Sequence, residues 1–353
     1  MKDPDQRFTI KDIARMAGVS IGTVDRVLHN RGRVRPETEA RIKEAIERTG
    51  YTPAFFASRL SKSRSVTFGV IMPLPEQDSG YWELCRQGIE KTRQDLSSYN
   101  VRVRYFFFDR YSPEHVGSVI DEASGSGCDG FVVAPIVQEP FREAVESGRL
   151  GKNITFFDTE LTGVEVRCTV GQDSFASGLL SAKLISLLMY AHSDSTDFTC
   201  DSVLVIDLSE NDFHLQQRVA GFMEYFKSRH TGSPRVIQCA DTDSPQEVHN
   251  RMQKAFEGFS AVRGVFVPNA TTHLYAAACR QLGHVSVKIV GYDCVPANTE
   301  GVISGDIDFL ISQRPEEQAS EALANLYRFS ALQTAVPARV MVPIDIITRE
   351  NAR

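Results

Sequence analysis

From Val66 onward the chain repeats one pattern, a short apolar run followed by a stretch of helical spacing. Runs at 66–72, 101–108, 130–134, 154–157, 203–206, 235–239, 264–267, 288–290, 309–312 and 340–343 are expected strands. Most are continuously apolar rather than alternating, as parallel strands buried on both faces require. Helical patterns lie between many of them, for instance at 175–189 and 315–329. The alternation predicts an α/β architecture with parallel sheets. About 290 residues is large for a single sheet, so two similar lobes with a cleft between them are expected.

Ligands in such sheets bind outside the carboxyl ends of the strands, which singles out polar residues just past apolar runs. Asp158 follows Ile154-Thr155-Phe156-Phe157, and Asp293 follows Ile289-Val290-Gly291-Tyr292. Asn269 comes after 264–268 and Gln313 after 309–312. Arg218 falls on a helical stretch, and Tyr81 and Trp82 (the only tryptophan) lie in the loop after the first strand. Carboxylates and amides bind adjacent hydroxyls, and aromatic rings cover apolar C–H faces, a combination suited to a sugar or similar polyol. Each strand-end Asp or Asn has a second reading as a turn or helix cap.

The first 64 residues differ in kind. They carry a net charge of +6, whereas the remainder carries −12 within the total of −6. A basic head on an acidic body concentrates phosphate affinity at one end. Thr9-Ile10-Lys11-Asp12 reads as a capped helix start. Ile10, Ile13, Ala14 and Ala17 recur at helical spacing, and Gly18 suits a left-handed stop. Ser20 can cap a second helix running through Val24, Val27 and Leu28. Only Gly18-Val19-Ser20 separates the two, the tight turn of a helix-turn-helix. A third helix is expected from Pro36 to Arg48, with Thr38, Ile42, Ala45 and Ile46 inward. The second helix leaves Ile21, Gly22, Asp25, Arg26 and His29 exposed, where such a helix meets base edges in the major groove. Arg26 is suited to guanine or to phosphate. Asp25 accepts from a cytosine or pairs locally with His29. Arg31, Arg33 and Arg35 follow in a loop, placed to contact phosphate.

The ordered string Thr9-Ile10-Lys11-Asp12-Ile13-Ala14-Arg15-Met16-Ala17-Gly18-Val19-Ser20, then Thr23-Val24, Arg26-Val27-Leu28 and Gly50-Tyr51-Thr52-Pro53, resembles the head of the lactose/galactose repressor family. Asp25 and Arg35 depart from the family, whose members usually carry a small hydroxyl residue at the first position and often serine at the second. The departures bear on which operator is read. The resemblance implies that the linker becomes a helix on operator DNA, pairing with its copy in the minor groove. Ala57-Ser58-Arg59-Leu60 matches the family's Ala-x-x-Leu, making Leu60 a wedge at the central base step; its other reading is packing against the body. The DNA-contacting set expected is Thr9, Ser20, Ile21, Gly22, Thr23, Asp25, Arg26, His29, Arg33, Arg35, Tyr51, Ala57 and Leu60.

The body resembles the family's sensor domain, shared with periplasmic sugar-binding proteins of the ribose type. Asp158, Arg218, Asn269, Asp293 and Gln313 match its ligand-binding positions, and Tyr81 and Trp82 its aromatic pair. The stretch 171–178, including Asp173, matches the opening of the second lobe. Thr159 stands where the ribose type often has arginine, and Ala134 where it often has asparagine, which implies a ligand other than ribose. The expected organisation is an all-α helix-turn-helix head at 1–50, a hinge at 51–65, and a two-lobed periplasmic-binding-protein-like (type I) effector and dimerisation domain at 66–353. The expected function is a homodimeric, ligand-responsive regulator, a repressor acting on palindromic double-stranded operator DNA, with a sugar-like effector. Two other readings remain open: a purine-type corepressor in the same cleft, and a sugar receptor with no DNA role.

Other classes lack their signatures. No leader pattern precedes an apolar run, and no run approaches the roughly 20 residues of a membrane helix, so a cytoplasmic protein without membrane partner is expected. The seven cysteines are scattered and never form CxxC, fitting reduced thiols. There is no P-loop, GxSxG, HExxH or zinc-ligand spacing. No enzyme activity, metal or cofactor is expected. No heptad segment follows 340–343, so a dimer is expected rather than a tetramer.

Overall fold

The computed structural model describes residues 10–28, 34–49, 65–191, 202–208, 212–229, 233–239, 242–259 and 262–352. The chain divides into two compact units, Met1–Ser63 and Arg64–Arg353. Within the first are α1 (Ile10–Ala17), α2 (Ile21–Leu28) and α3 (Pro36–Thr49). Gly18 takes φ +65°, and the next amide, of Val19, closes back on the Ala14 carbonyl at 3.0 Å. Ser20 Oγ accepts the Thr23 N–H at 3.2 Å, the cap its position predicts. Ile13, Ala14, Ala17, Val24, Ile42 and Ala45 form the buried core, with Val27 and Ile46 packed on it. Thr38, expected on the inner face, is only half-buried. Ile21 and Gly22 are exposed at the start of α2 and Thr23 is half-buried; Arg35 is exposed just before α3. Thr9, His29, Arg33, Tyr51, Ala57, Leu60 and the expected hinge up to 64 lie outside the described residues, as do the side chains of Asp25 and Arg26.

The second unit opens with β1 (Val66–Pro73), α4 (Tyr81–Asp95), β2 (Val101–Phe108), α5 (Pro113–Ser124), β3 (Gly130–Val133), α6 (Gln138–Glu146), β4 (Ile154–Asp158) and β5 (Cys168–Gly171). It continues with α7 (Ser174–Ala191), β6 (Val203–Asp207), α8 (Phe213–Arg229), β7 (Arg235–Gln238), α9 (Pro245–Gly258), β8 (Gly264–Phe266) and α10 (Thr272–Gln281). β9 (Lys288–Tyr292), α11 (Pro296–Ser304), β10 (Phe309–Ser312), α12 (Pro315–Ser330), β11 (Arg339–Met341) and β12 (Asp345–Ile347) complete it. Two six-stranded sheets result, ordered β11-β5-β4-β3-β1-β2 and β12-β10-β9-β8-β6-β7. The strand orders correspond position by position, so the two lobes share a topology that no internal sequence repeat announced. Among the described residues no helix is long and apolar enough to cross a membrane.

All ten expected strands form, within one or two residues of their expected ends. β5 and β12 were not anticipated. β5 is four residues long with Thr169 inside it, and β12 is a half-buried three-residue edge, so neither makes an apolar run. The sheets are mostly parallel, as expected; β12 alone among the described strands pairs antiparallel, with β10. The central strands are buried throughout, for example β3 and β4, whereas the edge strands β2 and β7 alternate.

The chain passes between lobes three times, at 172–173, 313–314 and 342–344, and one side chain ties the passages together. Gln172 Nε2 donates to the Ser312 carbonyl at 3.0 Å and the Pro343 carbonyl at 2.8 Å. Arg314 adds a forked pair to Asp345 at 2.6 and 3.1 Å, a geometry that fixes both partners. Asp173 caps α7 by accepting the Ala176 N–H at 2.8 Å. Close contact of α7 with α8 depends on Gly178 and Gly221. A Cβ on Gly178 would stand 2.0 Å from the Arg218 carbonyl oxygen, and one on Gly221 2.1 Å from that of Phe175.

Candidate functional site

Strand ends from both lobes meet in the cleft. Asp158 is the last residue of β4, and Asp293 and Gln313 directly follow β9 and β10. Both aspartates sit in the left-handed region, at φ +70° and +65°, a strained backbone that turns the chain sharply off the sheet. Tyr81 and Trp82 open α4, and α8 contributes His214 and Arg218. All seven body residues singled out from the sequence, Tyr81, Trp82, Asp158, Arg218, Asn269, Asp293 and Gln313, line one small cavity of about 20 Å³. All seven are buried.

A chain of polar contacts fixes the second-lobe wall. Arg218 donates to the Pro268 carbonyl and to Gln313 Oε1, both at 2.7 Å, with its guanidinium 4.1 Å from the Tyr292 ring centre. Gln313 Nε2 donates to Asp293 Oδ2 at 3.0 Å. Gln318 donates to the Gln313 carbonyl at 2.7 Å and accepts the Asp158 N–H at 3.1 Å, so the two lobes' aspartates share a scaffold. On the first-lobe wall the Tyr81 hydroxyl donates to Asp158 Oδ1 at 2.6 Å, and Trp82 Nε1 to Asp78 Oδ2 at 2.5 Å. Asn269 behaves partly as a turn cap. Its Oδ1 accepts the Thr271 N–H at 3.1 Å and hydroxyl at 2.6 Å.

Four charged residues at the cavity were missed: Asp78, Arg110, Asp212 and His214. Arg110 pairs with Asp78 and lies 3.7 Å from Asp212 in the other lobe. His214 Nδ1 lies 2.6 Å from Asp212 and 3.7 Å from Asp158. Asp78, Arg110 and Asp212 follow β1, β2 and β6 by two to five residues, so the strand-end rule applied to every strand would have found them. A further link crosses the cleft at Asp243, which accepts the N–H groups of Asp78 and Ser79, both at 3.1 Å. Two wider spaces adjoin the cavity. One, of about 220 Å³ beside the crossovers, includes Thr159, Gln172, Phe175 and Arg339. The other, of about 660 Å³, opens between Tyr111, Gln138 and Gln216.

Burial pushes the Asp293 carboxyl up to about 6, against the pull of Arg218. Burial also pushes up Asp212, but His214 and then Arg110 outweigh it and hold that carboxyl below its ordinary value. Tyr81 is raised well above its usual range by burial and then by the Asp158 charge. Moving a carboxyl from 3.8 to about 6 corresponds to on the order of 3 kcal/mol of lost stability at neutral pH. The unfolded chain releases this proton near pH 4 and the folded chain near pH 6, so the Asp293 contribution to stability falls across that window and is flat above it. Asp293→Asn is therefore expected to melt progressively higher than the wild type as pH rises from 4 to 6, read as paired melting curves. A constant difference would refute the assignment. Among the described residues no group of His, Cys, Asp and Glu is arranged to hold a metal ion.

Two lobes of mostly parallel sheet with polar residues converging on an enclosed cleft define a ligand-receptor fold. Residues 68–332 match the family model described as periplasmic binding protein domain, and residues 9–54 match that of bacterial regulatory proteins, lacI family. The chain belongs to the periplasmic binding protein domain family and carries a lacI-family head; it is a transcriptional regulator of that type. It is 24% identical to the ribose operon repressor of Bacillus subtilis across 98% of both chains. It is 44% identical to catabolite control protein A of Priestia megaterium over 82 residues, 23% of this chain and 24% of that one. A glucose-galactose binding protein from Geobacillus stearothermophilus shares the fold, with TM-score 0.70 and 17% identity over 82% of this chain and 99% of that one.

Proposed function

We propose that this regulator is a homodimeric repressor of palindromic operators whose DNA affinity is set by a sugar or related polyol in the cleft. The observation that carries the ligand half is the convergence of seven residues, from strand ends and from α4 and α8, on one cavity between two lobes. The cavity offers carboxylates and amides for hydroxyls, and the Tyr81 and Trp82 rings for C–H faces. The relatives named ribose operon repressor and glucose-galactose binding protein support a sugar. The DNA half rests on the basic +6 head and the exposed start of α2. A ligand in the cleft changes how the lobes close about the three crossovers and so alters the spacing of paired hinge segments. Removal of residues 1–64 tests the division of labour: DNA binding is expected to vanish while ligand binding, followed by calorimetry, persists. A truncated body that still bound operator would overturn it.

Within the head, Arg26 reads a base and Arg33 a phosphate. Arg26→Ala is expected to relax base preference at one operator position, with about 1–3 kcal/mol of discrimination lost. Arg33→Ala should weaken binding to every sequence alike and reduce the salt dependence by about one counterion. Anisotropy titrations against single-mismatch operators separate the two, and identical profiles would contradict these roles.

A further inference from the structure

Three buried carboxylates on the cavity wall end in oxygens that have no hydrogen-bond partner among the described residues, Asp78 Oδ1, Asp158 Oδ2 and Asp212 Oδ2; the nearest donors to the last two, His214 and Arg110, stand off at 3.7 Å. Each residue is 5% exposed or less. Arg110 and His214 string them together. Arg110 bridges Asp78 and Asp212, and His214 bridges Asp212 and Asp158. With Asp293 the cavity holds four carboxylates against the guanidiniums of Arg110 and Arg218. Four carboxylates against two guanidiniums leave the wall short of positive charge. The local potential shows elsewhere: after burial, the Asp158 charge helps push Tyr81 and Cys85 upward, and it adds to the rise of Asp293.

Buried charge is costly unless it is both neutralised and hydrogen-bonded. Ligand hydroxyls would satisfy the three oxygens but leave the charge. A phosphate or carboxylate would add charge and bring acceptors to a wall that already has acceptors in excess. A protonated amine supplies up to three donors and the missing positive charge together. Arg218 Nε also lacks a hydrogen-bond partner among the described residues and fits a hydroxyl oxygen on the same ligand.

We propose that the effector is an amino sugar or amino-polyol, its ammonium held by Asp78, Asp158 and Asp212 and its hydroxyls by the Asp293–Gln313–Arg218 wall. The proposal rests on the cavity being the effector site. The test is calorimetric titration of the full chain with matched hexose derivatives at one pH and salt: glucosamine and galactosamine, their N-acetyl forms, the parent sugars, and the 6-phosphates. The amines are expected to bind, with N-acetylation weakening them by at least about tenfold and phosphorylation abolishing binding. Asp212→Asn should cost the amine about tenfold and the parent sugar less. A parent sugar binding as tightly as its amine, a phosphate that binds, or an equal loss for both in Asp212→Asn overturns the inference and leaves the sugar reading standing. Binding by no member of the panel removes the sugar reading, and this inference falls with it.

Discussion

Asp293→Ala is expected to abolish the response to effector while leaving operator binding intact. Asp293 is 1% exposed and sits at the end of a three-part relay. Its carboxylate positions the Gln313 amide at 3.0 Å, and Gln313 in turn positions Arg218 at 2.7 Å. In the proposed site, truncation removes one ligand contact and loosens two others. Hydrogen bonds to charged groups contribute about 1.5–3 kcal/mol each, so losing the aspartate alone weakens binding by roughly tenfold to 150-fold. The loss of alignment at Gln313 and Arg218 adds to that. The α1–α3 head lies in a separate compact unit, so DNA affinity without ligand should match the wild type. An Asp293→Ala protein that still responds normally would remove this residue from the site.

The second large effect concerns backbone rather than charge. Gly178→Val is expected to destabilise the second unit by about 3 kcal/mol or more and to lose effector binding with it. A Cβ there meets the Arg218 carbonyl oxygen at 2.0 Å and its Cα at 3.0 Å. Backbone cannot rotate aside as a flexible side chain can, so α7 and α8 must part. That movement displaces Arg218, whose guanidinium is held between Tyr292, the Pro268 carbonyl and Gln313. Gly117→Ala is the control. Nothing stands within 4 Å of its Cβ position in α5, and alanine there should be neutral or stabilising by about 0.5–1 kcal/mol. Denaturant melts of the two variants decide the matter, and a Gly178→Val protein as stable as wild type would refute the packing argument.

Much of the fold was legible because burial on both faces of a parallel sheet leaves continuous apolar runs, and β1, β3 and β4 carry them. The short strands escaped for the same reason. β5 and β12 lie where the chain crosses between lobes or closes an edge, and need little apolar surface. The duplicated strand order left no repeat because packing constrains hydrophobicity and volume, not residue identity. At the site, Asp158, Asp293 and Gln313, directly at strand ends, were found, and the cross-lobe ion pairs, set in loops two to five residues beyond β1, β2 and β6, were not. Arg110 and Asp212 are 102 positions apart in the sequence, and only the closing of two lobes brings them together. Asn269 shows that the two readings of a strand-end residue are compatible, since one side chain both caps its turn and lines the cavity.

The central claim is that the cleft and the head share one free energy. Coupling of about 1–3 kcal/mol changes operator affinity by roughly 5–150-fold, and operator must change effector affinity by the same factor. The direct measurement is fluorescence anisotropy of a labelled palindromic duplex, selected by the full chain from a random pool. It is titrated with and without a ligand whose binding in the cleft calorimetry has established. The account predicts a shift of the midpoint within that range for the wild type and none for Asp293→Ala. An operator affinity unchanged by a ligand bound in the cleft would contradict it.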